Sequence, residues 1–83
     1  MEKILVYGAD WCSMTKRSLK LLDESGVDYK YTDIDHDAAG AAWVREHNPD
    51  GKERKPTIQI GGEILIEPSN DELTESLRNN NLV

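Results

Sequence analysis

Apolar positions along the chain fall into short clusters separated by polar punctuation, and the spacing within each cluster names the element it forms. Residues 3–7 are a β-branched and apolar run closing on Gly8-Ala9-Asp10, the pattern of a buried strand that enters a loop. From Ser13 to about Ser25, Met14, Leu19, Leu21 and Leu22 interleave with Lys16, Arg17 and Lys20 at helical spacing, and Gly26 stops the helix. Residues 27–34 alternate and hold Tyr29 and Tyr31, which predicts a second strand. A helix between two strands makes them parallel, with a right-handed crossover.

The acidic turn from Asp33 to Asp37 offers N-caps for a helix over about Ala38 to His47, with Ala39, Ala42 and Trp43 on one side. Asn48-Pro49-Asp50-Gly51 ends that helix. Two β-rich runs, Pro56 to Ile60 and Glu63 to Ile66, flank Gly61-Gly62, a hairpin signal in which both glycines are expected at positive φ. After Pro68, Ser69 or Asn70 caps a last helix, Asp71 and Glu72 suit its positive end, and Leu73 and Leu77 face inward. The order βαβαββα predicts an α/β fold, a four-stranded mixed sheet with helices on both faces.

Composition narrows what such a chain does. Eighty-three residues suffice for one domain, residues 1–83, and a monomer is expected. With 37% hydrophobic and 31% charged residues the chain reads as folded and soluble. A formal charge of -6 opposes nucleic acid and anionic membranes as partners, because both require a basic footprint. The apolar run before Gly8 is too short for a signal-peptide core or a membrane span, so a cytoplasmic location is expected. One cysteine, Cys12, forms no disulfide within the chain, so any role it has is that of a thiol. His36 and His47 have no partner at metal-ligand spacing, and Asp33, Asp35 and Asp37 lack the glycine and terminal glutamate of a calcium loop; no metal site is assigned.

Trp11-Cys12-Ser13-Met14-Thr15 follows the first strand and opens the first helix, and there the chain resembles the redox motif of the thioredoxin superfamily, usually Cys-x-x-Cys. Lys55-Pro56-Thr57 falls where that superfamily has its cis-proline, and Gly61-Gly62 through Pro68-Ser69-Asn70-Asp71-Glu72-Leu73 resembles the end of a glutaredoxin. Ala9-Asp10-Trp11-Cys12 and Glu67-Pro68-Ser69 are similar to mycoredoxins and other short bacterial glutaredoxin-like proteins. The resemblance spans nearly the whole chain and implies a thioredoxin-like (glutaredoxin) fold. It departs from the pattern at Thr15, which stands where the second, resolving cysteine usually sits, so a dithiol mechanism within the chain is excluded.

The resemblance makes Cys12 the catalytic nucleophile of a single-thiol glutaredoxin-like oxidoreductase acting on mixed disulfides, with glutathione or a similar small thiol as co-substrate, disulfide-containing proteins as substrates and no bound cofactor. A thiolate is the nucleophile, and bringing a thiol of pKa ~8.5 to mostly thiolate at neutral pH takes about 2.7 kcal/mol, whereas a helix N-terminus supplies ~0.3 to 1. The remainder is expected from the N–H groups of Met14 and Thr15, the hydroxyls of Ser13 or Thr15, and the charges of Lys16, Arg17 and Lys55, against Asp10.

By resemblance, a cis bond at Pro56 exposes the main chain of Lys55 for pairing with a peptide or glutathione-like substrate, and Ser69, Asn70 and Asp71 hold the γ-glutamyl end of a small thiol; simple helix capping explains the last three as well. Trp11 is either a cover or partner contact for the thiol or an exposed loop aromatic. Tyr7, Tyr29, Tyr31 and Trp43 are expected to be core or half-buried residues. Two other functions stand beside the first: a binding module that keeps the fold without redox turnover, and an iron-sulfur carrier dimer with one Cys12 per chain plus two external thiols.

Overall fold

The computed structural model describes residues 4–83. Its elements are β1 (Ile4–Gly8), α1 (Ser13–Ser25), β2 (Lys30–Asp33), α2 (Ala38–His47), β3 (Thr57–Ile60), β4 (Glu63–Ile66) and α3 (Asn70–Asn79). The sheet runs β2-β1-β3-β4, with β1 and β2 parallel and the β1–β3 and β3–β4 pairs antiparallel. This is the mixed α/β architecture expected from the hydrophobic pattern.

The period-2 alternation of β1 decides where the helices go. Ile4 and Val6 turn to one face and pack with Leu22 of α1, Ile58 and Ile60 of β3, and Leu73 and Leu77 of α3. Tyr7 turns to the other face and joins Ile34, Ala41, Val44 and Trp43, the cluster beneath α2. Burying a leucine or isoleucine is worth about 1.5–3 kcal/mol, so α1 and α3 are held to the sheet mainly through Leu22, Leu73 and Leu77.

Local chemistry sets the element ends. Gly26 takes the left-handed conformation at φ 71° and closes α1 through its N–H to the Asp23 carbonyl. Asp37, from the acidic turn, caps α2 by accepting from the Gly40 N–H at 2.8 Å. For α3 the cap is Ser69 rather than Asn70, and it is reciprocal: Ser69 Oγ accepts from the Glu72 N–H at 3.1 Å while Glu72 Oε1 accepts from the Ser69 N–H at 2.9 Å.

Four details differ from the sequence reading. The predicted first strand includes Lys3, which lies outside the described residues; the described strand runs on to Gly8. β2 is limited to four residues, because among the described residues its ladder with β1 starts at the Leu5–Lys30 pair and Ile34 already leaves it, donating to the Gly8 carbonyl at 2.9 Å. The inward face of α2 is Gly40, Ala41 and Val44, with Ala39 exposed, because the absence of a side chain at Gly40 lets the helix lie against Thr32, whose Cγ2 would be 2.9 Å from a Cβ there. In the β3–β4 turn only Gly61 has positive φ, at 59°, the pattern of a turn that requires it at the first central residue alone.

Candidate active site around Cys12

The loop that presents Cys12 is short and tightly tied. β1 ends at Gly8, the Cys12 N–H donates to the Ala9 carbonyl at 3.1 Å, and the Cys12 carbonyl accepts the first helical bond from the Lys16 N–H. Cys12 is thus the N-cap of α1, in extended backbone conformation, and its half-buried side chain makes no capping bond. Its thiol lies 3.9 Å from the Lys55 carbonyl oxygen, a weak S–H···O contact that joins residues 43 positions apart.

Burial works against the thiolate, but the Thr15 hydroxyl, the N–H groups of Thr15 and Met14, and the Lys55 ammonium together outweigh it and hold the Cys12 pKa below its ordinary value. Thr15 is fully buried directly behind the sulfur. Its Oγ1 receives the Ala9 N–H at 3.4 Å, and the space for it exists only because residue 8 is glycine: a Cβ on Gly8 would lie 2.5 Å from Thr15 Oγ1. The position of the usual second cysteine is therefore filled by a hydroxyl that is sealed from solvent.

Trp11 stands beside the thiol and is 67% exposed, yet it is fixed at two points. Its indole N–H donates to Asp35 Oδ2 at 2.6 Å, and Lys55 Nζ lies 5.6 Å from the ring centroid, within cation–π range. Lys55-Pro56 is a cis peptide. Pro56 is buried, and its carbonyl accepts from the Glu67 N–H at 2.8 Å, which ties the approach to α3 to the same ledge.

The expected residues divide into groups. Trp11, Cys12, Met14, Thr15, Lys55 and Pro56 are brought together. Ser13 and Lys16 are exposed, and neither is among the groups that shift the thiol; the cationic influence comes from Lys55, across the fold, and not from Lys16 on the same helix. Ser69, Asn70 and Asp71 form the start of α3, joined to the ledge through Glu67, with the Ser69 hydroxyl engaged in its own cap.

The places of Tyr31, Asp35, Gly8 and Glu67 around the site escape sequence reasoning, as does the bond that holds Asp10, because each acts through a contact that only the fold creates. Tyr31 donates from its hydroxyl to Asp10 Oδ1 at 2.7 Å; burial, that bond and the carboxylates of Asp10, Asp33 and Asp35 push its phenol well above the ordinary value. The Asp33 carboxyl is held below its ordinary value: the N–H groups of Asp35 and Asp10 and the His36 ring outweigh a desolvation penalty. The half-buried Tyr7, Tyr29, Tyr31 and Trp43 match expectation, and His47 stacks on Trp43 with ring centroids 3.9 Å apart. Among the described residues no group of His, Cys, Asp and Glu is placed to hold a metal ion, and no helix is long and apolar enough to cross a membrane.

Comparison with known proteins decides the family. The glutaredoxin family profile matches residues 4–65, which include β1, the Cys12 turn, the Lys55-Pro56 ledge and most of β4. The chain belongs to the glutaredoxin family. Glutaredoxins of two Mycobacterium tuberculosis strains, H37Rv and CDC 1551, are each 31% identical to it over 75 residues, covering 89% of this chain and 88% of theirs. Among solved structures it is similar to the glutaredoxin of Archaeoglobus fulgidus, with a TM-score of 0.77 and 26% identity over 94% of this chain and 88% of that one. It also resembles the buckwheat glutaredoxin solved as a glutathione complex, with a TM-score of 0.68 and 25% identity over 98% of this chain and 73% of that one. Membership supports a glutaredoxin-like redox function, and the given sequence holds one cysteine, Cys12.

Proposed function

We propose that this glutaredoxin is a single-thiol oxidoreductase that reduces mixed disulfides, with glutathione or a similar small thiol as its co-substrate and disulfide-containing proteins as its substrates, in a reducing compartment such as the cytoplasm. The observation that carries the reading is a half-buried sulfur at a helix N-terminus, held toward the thiolate by Thr15, Met14 and Lys55, within 3.9 Å of the main chain of a neighbouring ledge.

The Cys12 thiolate attacks the small-thiol sulfur of a mixed disulfide. The substrate S–S bond breaks, the substrate half leaves as a thiolate that takes a proton from water, and Cys12 is left joined to the small thiol. A second small-thiol thiolate attacks the small-thiol sulfur of that adduct, forming a small-molecule disulfide and releasing Cys12 as thiolate, so one external thiol is consumed per mixed disulfide and its electron pair restores the one Cys12 gave to the first exchange. Without a resolving cysteine, only an external thiol can carry out the second step.

The Lys55 main chain lies beside the sulfur, before the β3 ladder begins at Thr57, and suits pairing with an extended substrate backbone. The likeness to a glutathione-bound glutaredoxin supports glutathione as the small thiol, with Ser69, Asn70 and Asp71 at the start of α3 as the site of its γ-glutamyl end. The test is steady-state reduction of a glutathione mixed disulfide coupled to glutathione reductase. The wild-type chain is expected to turn over and Cys12→Ser to be inert; equal rates for the two defeat the proposal.

A further inference from the structure

The segment that leads from α2 to the Lys55-Pro56 ledge is held from beneath by two buried side chains that the reaction itself does not use. Asn48, which closes α2, is 5% exposed, and Thr57, the first residue of β3, is fully buried. The Asn48 side-chain amide donates to the Val44 carbonyl at 2.7 Å and to Thr57 Oγ1 at 3.3 Å. Thr57 Oγ1 in turn donates to the Arg54 carbonyl at 2.8 Å, a bond that spans Lys55 and Pro56.

The count of protons gives these bonds one direction. The single Thr57 hydroxyl proton goes to Arg54, so toward Asn48 that oxygen only accepts, and the amide must present its nitrogen. With both amide protons spent, Asn48 Oδ1 is left buried without a partner among the described residues, a cost that the two donated bonds offset. Other ties on the segment are weaker. Pro49 to Glu53 are exposed, and the Arg45–Glu53 and Arg54–Asp50 ion pairs, at 2.7 and 2.6 Å, face solvent, where such pairs contribute little. On either side of Lys55 the carbonyls are occupied, that of Arg54 by the Thr57 hydroxyl and that of Pro56 by the Glu67 N–H at 2.8 Å. The Lys55 carbonyl between them is the one turned to the Cys12 thiol, 3.9 Å away.

We infer that Asn48 and the Thr57 hydroxyl are positioning residues for the substrate: they hold the Lys55 main chain where an extended peptide disulfide pairs with it. Neither touches the reacting sulfur. Their effect therefore falls on disulfides that carry a peptide backbone and spares those that carry none. This rests on the redox reading of Cys12 but is tested without turnover, through the first exchange alone. In that step the Cys12 thiolate attacks one sulfur of a disulfide, forms a new S–S bond to it, and releases the other half as a thiolate that is protonated by water.

The experiment times that exchange for the reduced chain with two uncharged symmetric disulfides. One is the disulfide of N-acetylcysteine N-methylamide, with a peptide group on either side of each cysteine; the other is bis(2-hydroxyethyl) disulfide, with none. Each rate is divided by that of 2-mercaptoethanol with the same disulfide, and adduct formation is followed by mass spectrometry after acid quench. In wild type the normalised ratio is expected to favour the peptide disulfide by about fivefold, the worth of one main-chain hydrogen bond. Thr57→Val, which keeps the shape and removes the hydroxyl, and Asn48→Ala should each lower that ratio about threefold while the hydroxyethyl rate stays within about twofold of wild type. Thr57→Ser should restore the ratio. The hydroxyethyl reaction reports in the same sample that the thiol site is folded, and if Asn48→Ala does not fold, Thr57→Val against Thr57→Ser decides.

A wild-type ratio of one, a ratio unaltered in Thr57→Val, an equal loss of both rates in that variant, or no exchange with either disulfide overturns the inference. A chain that shows the ratio and its loss yet fails to turn over with glutathione defeats the oxidoreductase proposal alone. An active enzyme whose ratio is the same in Thr57→Val defeats this inference alone.

Discussion

Thr15→Val tests the central electrostatic claim, because it removes one hydroxyl and little else. Thr15 is fully buried, its oxygen receives the Ala9 N–H at 3.4 Å, and its own proton is left for the Cys12 sulfur. A hydrogen bond to a charged acceptor is worth ~1.5–3 kcal/mol, and for a diffuse, half-exposed sulfur ~1–1.5 is the reasonable share. That corresponds to a five- to about thirteenfold smaller thiolate fraction well below the pKa. Part of this is returned, since a more basic thiolate is a better nucleophile with a Brønsted slope of ~0.4–0.5. The net expectation is a pair of crossing pH profiles for disulfide exchange: Thr15→Val about two- to fourfold slower than wild type at low pH and about two- to threefold faster at high pH. The variant also leaves the Ala9 N–H without its acceptor, at about 1 kcal/mol of stability read from urea unfolding. Thr15→Ser should restore the wild-type profile while remaining less stable for want of the methyl group. Superimposable profiles for wild type and Thr15→Val would show that the hydroxyl does not hold the thiolate.

Gly8→Ala should lower stability by about 1–3 kcal/mol, since the new Cβ would lie 2.5 Å from Thr15 Oγ1, and adding Thr15→Ala should recover most of the loss in the same urea titration. Ser69→Ala should cost about 1 kcal/mol, because it removes the acceptor for the Glu72 N–H. The capping box should also give way in acid. The Glu72 carboxyl is held below its ordinary value by the Ser69 N–H and hydroxyl, so the folded state gains from it above the ordinary glutamate range and loses that gain as pH falls through the lowered value; Glu72→Gln should flatten this part of the stability curve. The Cys12 thiol obeys the same sign. Its folded pKa is depressed, so the unfolded chain binds more protons between that value and the ordinary thiol range, and stability should rise with pH across this window in wild type and stay level in Cys12→Ser.

What the sequence disclosed and what it concealed divide by the reach of the interaction. Residues that end α1 and α2 act on their own neighbours, Gly26 through its left-handed backbone and Asp37 through the Gly40 N–H, and both helices span the residues expected of them. Cys12, Trp11, Lys55 and Pro56 could be picked out because their order along the chain resembles a known motif. The extent of β2 was not legible from its alternation, because it depends on the register with β1. Nor was the source of positive charge at the thiol: Lys16 is four residues from Cys12 yet lies exposed on α1, whereas Lys55 is 43 positions away and reaches both the sulfur's surroundings and the Trp11 ring.

The same distinction explains how one chain departs from a two-cysteine motif without losing the local device that activates a thiol. Position 15 is the third residue of α1, one turn along from the N-cap, so its side chain returns to the sulfur whatever its chemistry. A second thiol there would supply both a proton donor and a resolving nucleophile. Threonine keeps the donor and discards the nucleophile, and the absence of a side chain at Gly8 accommodates the branched residue against β1. The second half of the reaction then falls to a molecule from solution. Beside the sulfur such a molecule meets the exposed Trp11, held by Asp35 and Lys55, while the groups that lower the thiol pKa, Thr15 foremost among them, act from behind it.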